Sequence, residues 1–227
     1  MKNVMLSPSL FVGNLLNIEE DIRQCDKAGA DMFHIDMIDT TFTTITGLPN
    51  ALLPAIRQVS QTPLDIHIMS ATPEVYFPTI LPYCENSYVV MHIETAKEFN
   101  WLANQVRQAK GKPGVTLNST TPVCAIKEVL PMVDMVQVML CDAGREMKIP
   151  GLKEHIYHKI PEIRKMCDEI GRPDIVIQCD GGVTFEMAKL LMKQGANSFV
   201  LGRDSIFAQK ESVSERIFAL RKFLAEE

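Results

Sequence analysis

The sequence predicts an α/β protein built as one (β/α)8 barrel, the TIM-barrel architecture, and three observations lead there. Eight short β-rich runs, at residues 5–7, 32–36, 64–69, 88–94, 114–118, 135–140, 175–180 and 198–202, alternate with longer amphipathic segments. Most of these runs are apolar without alternation, which suits parallel strands buried on both faces. The chain has 227 residues, near the low end for a single barrel, and leaves little room for a second domain. Residues 1–227 therefore read as one domain.

Taken in order, the first run, Met5-Leu6-Ser7, leads into Pro8 and a helical pattern at residues 18–28. The second ends in His34-Ile35-Asp36 and the third in His67-Ile68-Met69. Further helical patterns cover residues 52–59, 101–109, 123–130, 156–170, 185–194 and 213–224. Gly29, Gly111, Gly171 and Gly195 each lie just past one of the helical patterns, where a left-handed C-terminal residue is expected. The connection at residues 141–152, between the sixth and seventh strands, is long and extended. Eightfold alternation admits a closed barrel or an open doubly wound sheet. No GxGxxG follows the first strand, which disfavours a dinucleotide-binding sheet.

Composition narrows the function. A hydrophobic share of 46% fills one core, and the net charge of −5 comes without any Lys/Arg block. Nucleic acid and anionic membranes are thus not expected partners. The N-terminus lacks the pattern of a secretory signal, and no apolar run approaches the ~18 residues of a membrane span. The cysteines, at 25, 84, 124, 141, 167 and 179, form no CxxC pair. Reduced thiols and a cytoplasmic location are the expectation. Cys179 reads as core.

In a barrel, polar groups at the carboxyl ends of strands are where chemistry is sought. Residues two apart on a strand point the same way, so His34 and Asp36 share a face. His67 ends the third strand, and Gln178-Cys179-Asp180 ends the seventh before Gly181-Gly182. One His-x-Asp pair is weak evidence, because such residues are commonly satisfied by local hydrogen bonds. Two imidazoles and two carboxylates at one end of three strands are stronger. Their chemistry suits a borderline divalent ion: Zn²⁺ first, with Mn²⁺, Fe²⁺ and Co²⁺ as alternatives.

Seven segments, in order from Ser7 to Phe207, carry a family resemblance: SPSL, FHIDMID, LDIHIM, MHIE, LNSTTP, CDGGV and LGRDSIF. Together they resemble the ribulose-phosphate 3-epimerases, whose fold is a ribulose-phosphate-binding type of TIM barrel. The resemblance implies that His34, Asp36, His67 and Asp180 ligate one divalent metal ion per subunit. It further implies that Asp36 and Asp180 double as acid and base around an enediolate. The implied reaction is inversion at C3 of a ketose phosphate, by default D-ribulose 5-phosphate to D-xylulose 5-phosphate. Ser7, His67, Met69 and Met139 would meet the sugar, with Ile38 where the family has a third methionine. Gly144, Gly181, Gly182, Gly202 and Arg203 would meet the phosphate. His92 and Glu94 are not ligands in the family pattern and read as supporting residues; His155 and His158 read as a solvated helix face. A homo-oligomer is implied as well.

The chain departs from the family after the sixth strand. A glycine-rich M-T-V-x-P-G-F-G-G-Q is expected, and Met139-Leu140-Cys141-Asp142-Ala143-Gly144-Arg145-Glu146-Met147-Lys148 is found. Fewer glycines limit backbone approach to a phosphate, and Arg145 or Lys148 offers side-chain charge instead. Asp39-Thr40-Thr41-Phe42 likewise replaces D-G-H-F. The alternatives are a 3-epimerase of another phosphoketose, such as D-allulose 6-phosphate, or a diverged non-catalytic phosphosugar-binding barrel. Decarboxylating or condensing relatives use D-x-K-x-x-D, and Asp36-Met37-Ile38-Asp39 has no lysine.

Overall fold

A computed structural model describes residues 4–142, 152–207 and 210–226, with only the backbone of residues 152 and 153. The eight strands are β1 (Met5–Pro8), β2 (Phe33–Ile38), β3 (Leu64–Met69), β4 (Tyr88–His92), β5 (Lys112–Leu117), β6 (Met135–Met139), β7 (Val176–Asp180) and β8 (Ser198–Leu201). All are parallel, in the order β1-β8-β7-β6-β5-β4-β3-β2, so the last strand returns to the first. The seam between β1 and β2 is looser. It holds a parallel bridge between Ser9 and His34, and the Leu6 carbonyl accepts from the backbone of Asp31 and Met32.

The pleat sorts every strand into two sets. Phe33, Ile35, Leu64, Ile66, Val89, Val115, Val136, Ile177 and Phe199 belong to the large core between sheet and helices. The alternate residues fill the barrel. Met32, Tyr88, Val90, Met135 and Val176 pack as an apolar plug at its amino end, with Met5 against them. Inside the barrel beyond the plug lie Ser7, His34, Asp65, Thr116, Gln137, Gln178 and Ser198, all fully buried. Ile38 and Met69 close the opposite end against Phe11, Phe42 and Ile45. A polar layer thus lies between two apolar ones.

The surrounding helices are α1 (Ile18–Lys27), α2 (Leu53–Val59), α3 (Phe77–Ile80), α4 (Phe99–Gln108), α5 (Leu152–Tyr157), α6 (Lys159–Glu169), α7 (Phe185–Lys193) and α8 (Val213–Ala225). The α8 N-terminus carries a capping box, with Ser212 and Glu215 satisfying each other's backbone N–H. Its Arg221 crosses to Asp31 at 2.8 Å and so ties the last helix to the start of β2.

Several expectations need correction. The helix expected at residues 123–130 is two 3-10 turns, Val123–Ile126 and Leu130–Met132, because Pro131 brings no N–H and disfavours α geometry before it. The helix expected at residues 156–170 is broken at His158. Pro161 cannot donate to the Tyr157 carbonyl and its ring crowds it. Short 3-10 and α turns span Pro73–Tyr76, Phe77–Ile80 and Leu81–Tyr83, where no helix was expected. The fourth strand ends at His92, so Glu94 lies in the following turn. Gly29, Gly171 and Gly195 have positive φ, but after α4 it is Lys110 that does (φ 60). Gly111 serves packing instead: a Cβ there would stand 2.9 Å from Val106 and 3.0 Å from the Cys84 sulfur. Among the described residues no two cysteines form a disulfide. No helix among them is long and apolar enough to cross a membrane.

Gly47 fixes the end of β2. Its N–H donates to the Ile38 carbonyl, and Leu48 N–H donates to that of Asp36 at 2.8 Å. A Cβ on Gly47 would lie 2.1 Å from the Asp36 carbonyl oxygen, a backbone atom that cannot rotate away. Gly47→Ala is therefore expected to lower stability by about 1–3 kcal/mol in urea unfolding; an unchanged midpoint would contradict this close packing.

Candidate active site and metal centre

The carboxyl ends of β2, β3 and β7 bring His34, Asp36, His67 and Asp180 together, with one ligand atom from each inside a 4.8 Å span. His34 Nε2 stands 3.2 Å from Asp36 Oδ1 and 3.6 Å from Asp180 Oδ2. His67 Nδ1 stands 3.8 Å from Asp36 Oδ1 and 3.4 Å from Asp180 Oδ2. Four ligands at ~2.1 Å from one ion in a tetrahedron would lie ~3.4 Å apart, so the spacing fits a Zn²⁺-sized ion. Both imidazoles are fully buried, and both carboxylates are 9% exposed, which leaves the mouth as the approach.

Each group is held from behind. Asp65 Oδ2 takes the Nδ1–H of His34 at 2.7 Å, which leaves His34 Nε2 to face the site. The same oxygen accepts from Ser7 Oγ at 3.0 Å and Gln178 Nε2 at 2.7 Å. Ser9 Oγ donates to Asp36 Oδ2 at 2.7 Å. Gln137 Nε2 donates to Asp180 Oδ2 at 2.9 Å and lies 3.0 Å from His67 Nδ1. His92 Nε2 lies 2.9 Å from His67 Nε2, with Glu94 on the far side of the His92 ring.

Charge follows from this packing. Burial works against a charged His34, but Asp36, Asp65 and Asp180 outweigh it and hold its pKa well above 6.5. Burial likewise works against the Asp36 carboxylate, and His34, His67 and Ser9 overcome it, bringing Asp36 down to about 2. In His92 burial wins and brings the imidazole down to about 4. Glu94 resists its own burial through bonds from His92, Thr121 and Asn118, and falls to about 2. A proton on His34 Nε2 thus stands among the carboxylates where a cation fits.

Met69, Met139 and Ile38 are buried, and Ile38 and Met69 pack with Phe11, Phe42 and Ile45. Gly181 and Gly182 have φ of 116° and 59°, and a Cβ on Gly181 would meet the Cys141 sulfur at 2.5 Å. Gly202 opens the turn into a π-helical segment, Arg203–Phe207, and its N–H donates to Ser205 Oγ; Arg203 is exposed. Gly144, Arg145 and Lys148 lie outside the described residues. His155 and His158 are exposed, as expected. The Ser7 hydroxyl donates to Asp65, and Ser9, two residues on, is the serine that reaches Asp36. Asp65, Gln137 and Gln178 were also missed. Their signal was present, as each precedes a site residue or Met139 by two on the same strand.

Fold and site together define a (β/α)8-barrel enzyme with a His₂Asp₂ cluster, suited to a metal ion, at its catalytic mouth. The model of the ribulose-phosphate 3 epimerase family matches residues 5–207, and the chain belongs to the ribulose-phosphate 3-epimerase family of isomerases. It is 30% identical to ribulose-phosphate 3-epimerase of Bacillus subtilis, over 93% of this chain and 97% of that one. It is 32% identical to the chloroplastic ribulose-5-phosphate-3-epimerase of Arabidopsis thaliana, over 92% of this chain and 73% of the relative. Among solved structures, a mutant tryptophan synthase α-subunit from Pyrococcus furiosus shares the fold, with a TM-score of 0.66 at 15% identity, covering 98% and 97% of the two chains. Tryptophan synthase subunit α from Campylobacter jejuni is similar at 0.65 and 12%, covering 96% of each.

Two outcomes follow. A divalent ion must displace the His34 proton, so its affinity rises with pH, by about tenfold per unit below the raised His34 pKa. Chelator competition across the neutral range measures the slope, and a flat profile contradicts the proton assignment. Asp65→Asn is expected to weaken metal binding by about 10–100-fold through loss of the carboxylate behind His34; wild-type affinity in that variant would show that Asp65 does not position the ligand.

Proposed function

We propose that the chain is a metal-dependent 3-epimerase of a ketose phosphate, with D-ribulose 5-phosphate and D-xylulose 5-phosphate as the default pair. The observation that carries this reading is the convergence of two carboxylates, Asp36 and Asp180, on the point the two imidazoles also face. Epimerisation beside a ketone needs a proton removed from one face of C3 and another delivered to the opposite face. One aspartate accepts the first proton as a carboxylate; the other, as the acid, supplies the second. A divalent ion bound there, Zn²⁺ by preference, would supply positive charge that stabilises the anion formed when the C3 proton leaves. His34, Asp36, His67 and Asp180 would hold it.

The rim supports the same chemistry. Ile38, Met69 and Met139 form an apolar wall around the reacting carbon, which limits water and shields the anion. Gly181, Gly182, Gly202 and Arg203 lie at the ends of β7 and β8, where barrels commonly receive a phosphate. Ser9 replaces Ser7 as the serine proposed near the sugar.

The altered segment after β6 favours a second substrate as a close alternative. Asp142 accepts from Ser119 at 3.0 Å, which places an acidic side chain beside the mouth. A longer phosphoketose such as D-allulose 6-phosphate is the natural comparison, and a non-catalytic phosphosugar-binding barrel is the remaining reading. A cytoplasmic homo-oligomer completes the proposal, with light scattering as the measure of assembly.

Solvent deuterium is expected to enter C3 of one phosphoketose in a panel, only with metal present. Asp36→Asn and Asp180→Asn should each slow exchange by at least about 100-fold. Absence of exchange throughout the panel with metal-loaded protein would reject the epimerase reading in favour of the binding barrel.

A further inference from the structure

We infer that Glu94, acting through His92, sets the tautomer of His67 and so keeps the proton off Nδ1, the nitrogen that faces the metal centre. Both are positioning residues, since neither supplies an atom to the ligand cluster. The inference rests on the metal-centre reading only for its consequence; the hydrogen-bond order stands on geometry.

Glu94 Oε2 lies 3.1 Å from His92 Nδ1, and a carboxylate can only accept, so Nδ1 carries the proton. His92 is fully buried and its other nitrogen, Nε2, faces His67 Nε2 at 2.9 Å. One of those nitrogens must donate and the other accept. With His92 neutral and its proton on Nδ1, the donor is His67 Nε2–H. The His67 proton is then accounted for, and Nδ1 presents a lone pair.

A separate observation on the opposite edge of the ring agrees. The Gln137 amide is oriented by the Asp180 carboxylate, which accepts its NH₂ at 2.9 Å. That same NH₂ lies 3.0 Å from His67 Nδ1, nearer than the Asp180 oxygen at 3.4 Å, so Nδ1 accepts from it. Protonation of His67 on Nδ1 would set two donors against each other there and two lone pairs against each other at His92. The His67 and His92 rings are stacked at 5.0 Å, and Phe42 packs on His92 at 4.4 Å, which restrains rotation.

Glu94 is itself immobilised. Its Oε1 accepts from the Asn118 N–H at 2.9 Å and from the Thr121 hydroxyl. Buried Lys159 donates to the carbonyls of Asn118, Ser119 and Thr121, fixing the same turn. The segment after β5 thereby dictates the tautomer of a ligand on β3. In Glu94→Gln those two donors claim the amide oxygen, leaving NH₂ toward His92 Nδ1. The chain of donors reverses, and His67 is left with its proton on the metal-facing nitrogen.

The test is ¹⁵N-histidine NMR of the full metal-free chain, with Zn²⁺ affinity from chelator competition. Wild type is expected to show His67 protonated on Nε2 and His92 on Nδ1. Glu94→Gln should move the His67 proton to Nδ1 and weaken Zn²⁺ binding by at least about tenfold. His92→Phe, which keeps the stack but removes both nitrogens, should leave His67 in mixed tautomers and also weaken binding. Wild-type His67 protonated on Nδ1 would overturn the inference. So would both variants keeping the wild-type tautomer and affinity. If wild type itself bound no Zn²⁺, the metal reading would fail while the tautomer comparison still decided this one.

Discussion

Asp65 puts a carboxylate in the middle of a sealed barrel, where an unpaired charge is costly by several kcal/mol. Three donors, from Ser7 on β1, His34 on β2 and Gln178 on β7, converge on one of its oxygens. The bonds tie strands on opposite sides of the barrel through its axis. They also decide that His34 shows Nε2 to the mouth. The polar layer below the site is therefore a device for aiming imidazoles, set between an apolar plug beneath and an apolar rim above.

The second imidazole is aimed by different means to the same end. His67 is gripped by His92 on one edge and Gln137 on the other, with Glu94 behind His92. Carboxylates outside the ligand set thus govern both histidines, one directly and one through another ring. From outside the ligand set, Asp36 accepts from Ser9 and Asp180 from Gln137.

Much of this was legible in the sequence. The eight strands were found within a few residues because unbroken apolar runs such as 64–69 carry a strong signal. The metal-facing quartet was found because period-two geometry places His34 with Asp36, and family-like segments ordered the rest. Helices were less legible where prolines act at a distance, as Pro131 and Pro161 do. The supporting layer was missed for a different reason. Asp65, Gln137 and Gln178 matter through contacts across the barrel, and no local pattern says which strand faces which. Ser7 and Ser9 illustrate the same limit: both point inward, and only the height of each in the barrel separates them. The departure from the family pattern after β6 is displayed by the sequence itself.

The central claim is that four side chains hold one ion through His34 Nε2, His67 Nδ1 and the two aspartates. Anomalous diffraction at the zinc edge from Zn²⁺-loaded crystals tests it most directly. The account predicts one peak at full occupancy, ~2.0–2.2 Å from those two nitrogens and from an oxygen of each of Asp36 and Asp180. No peak at that point at saturating Zn²⁺, or ligation through His67 Nε2, would contradict it.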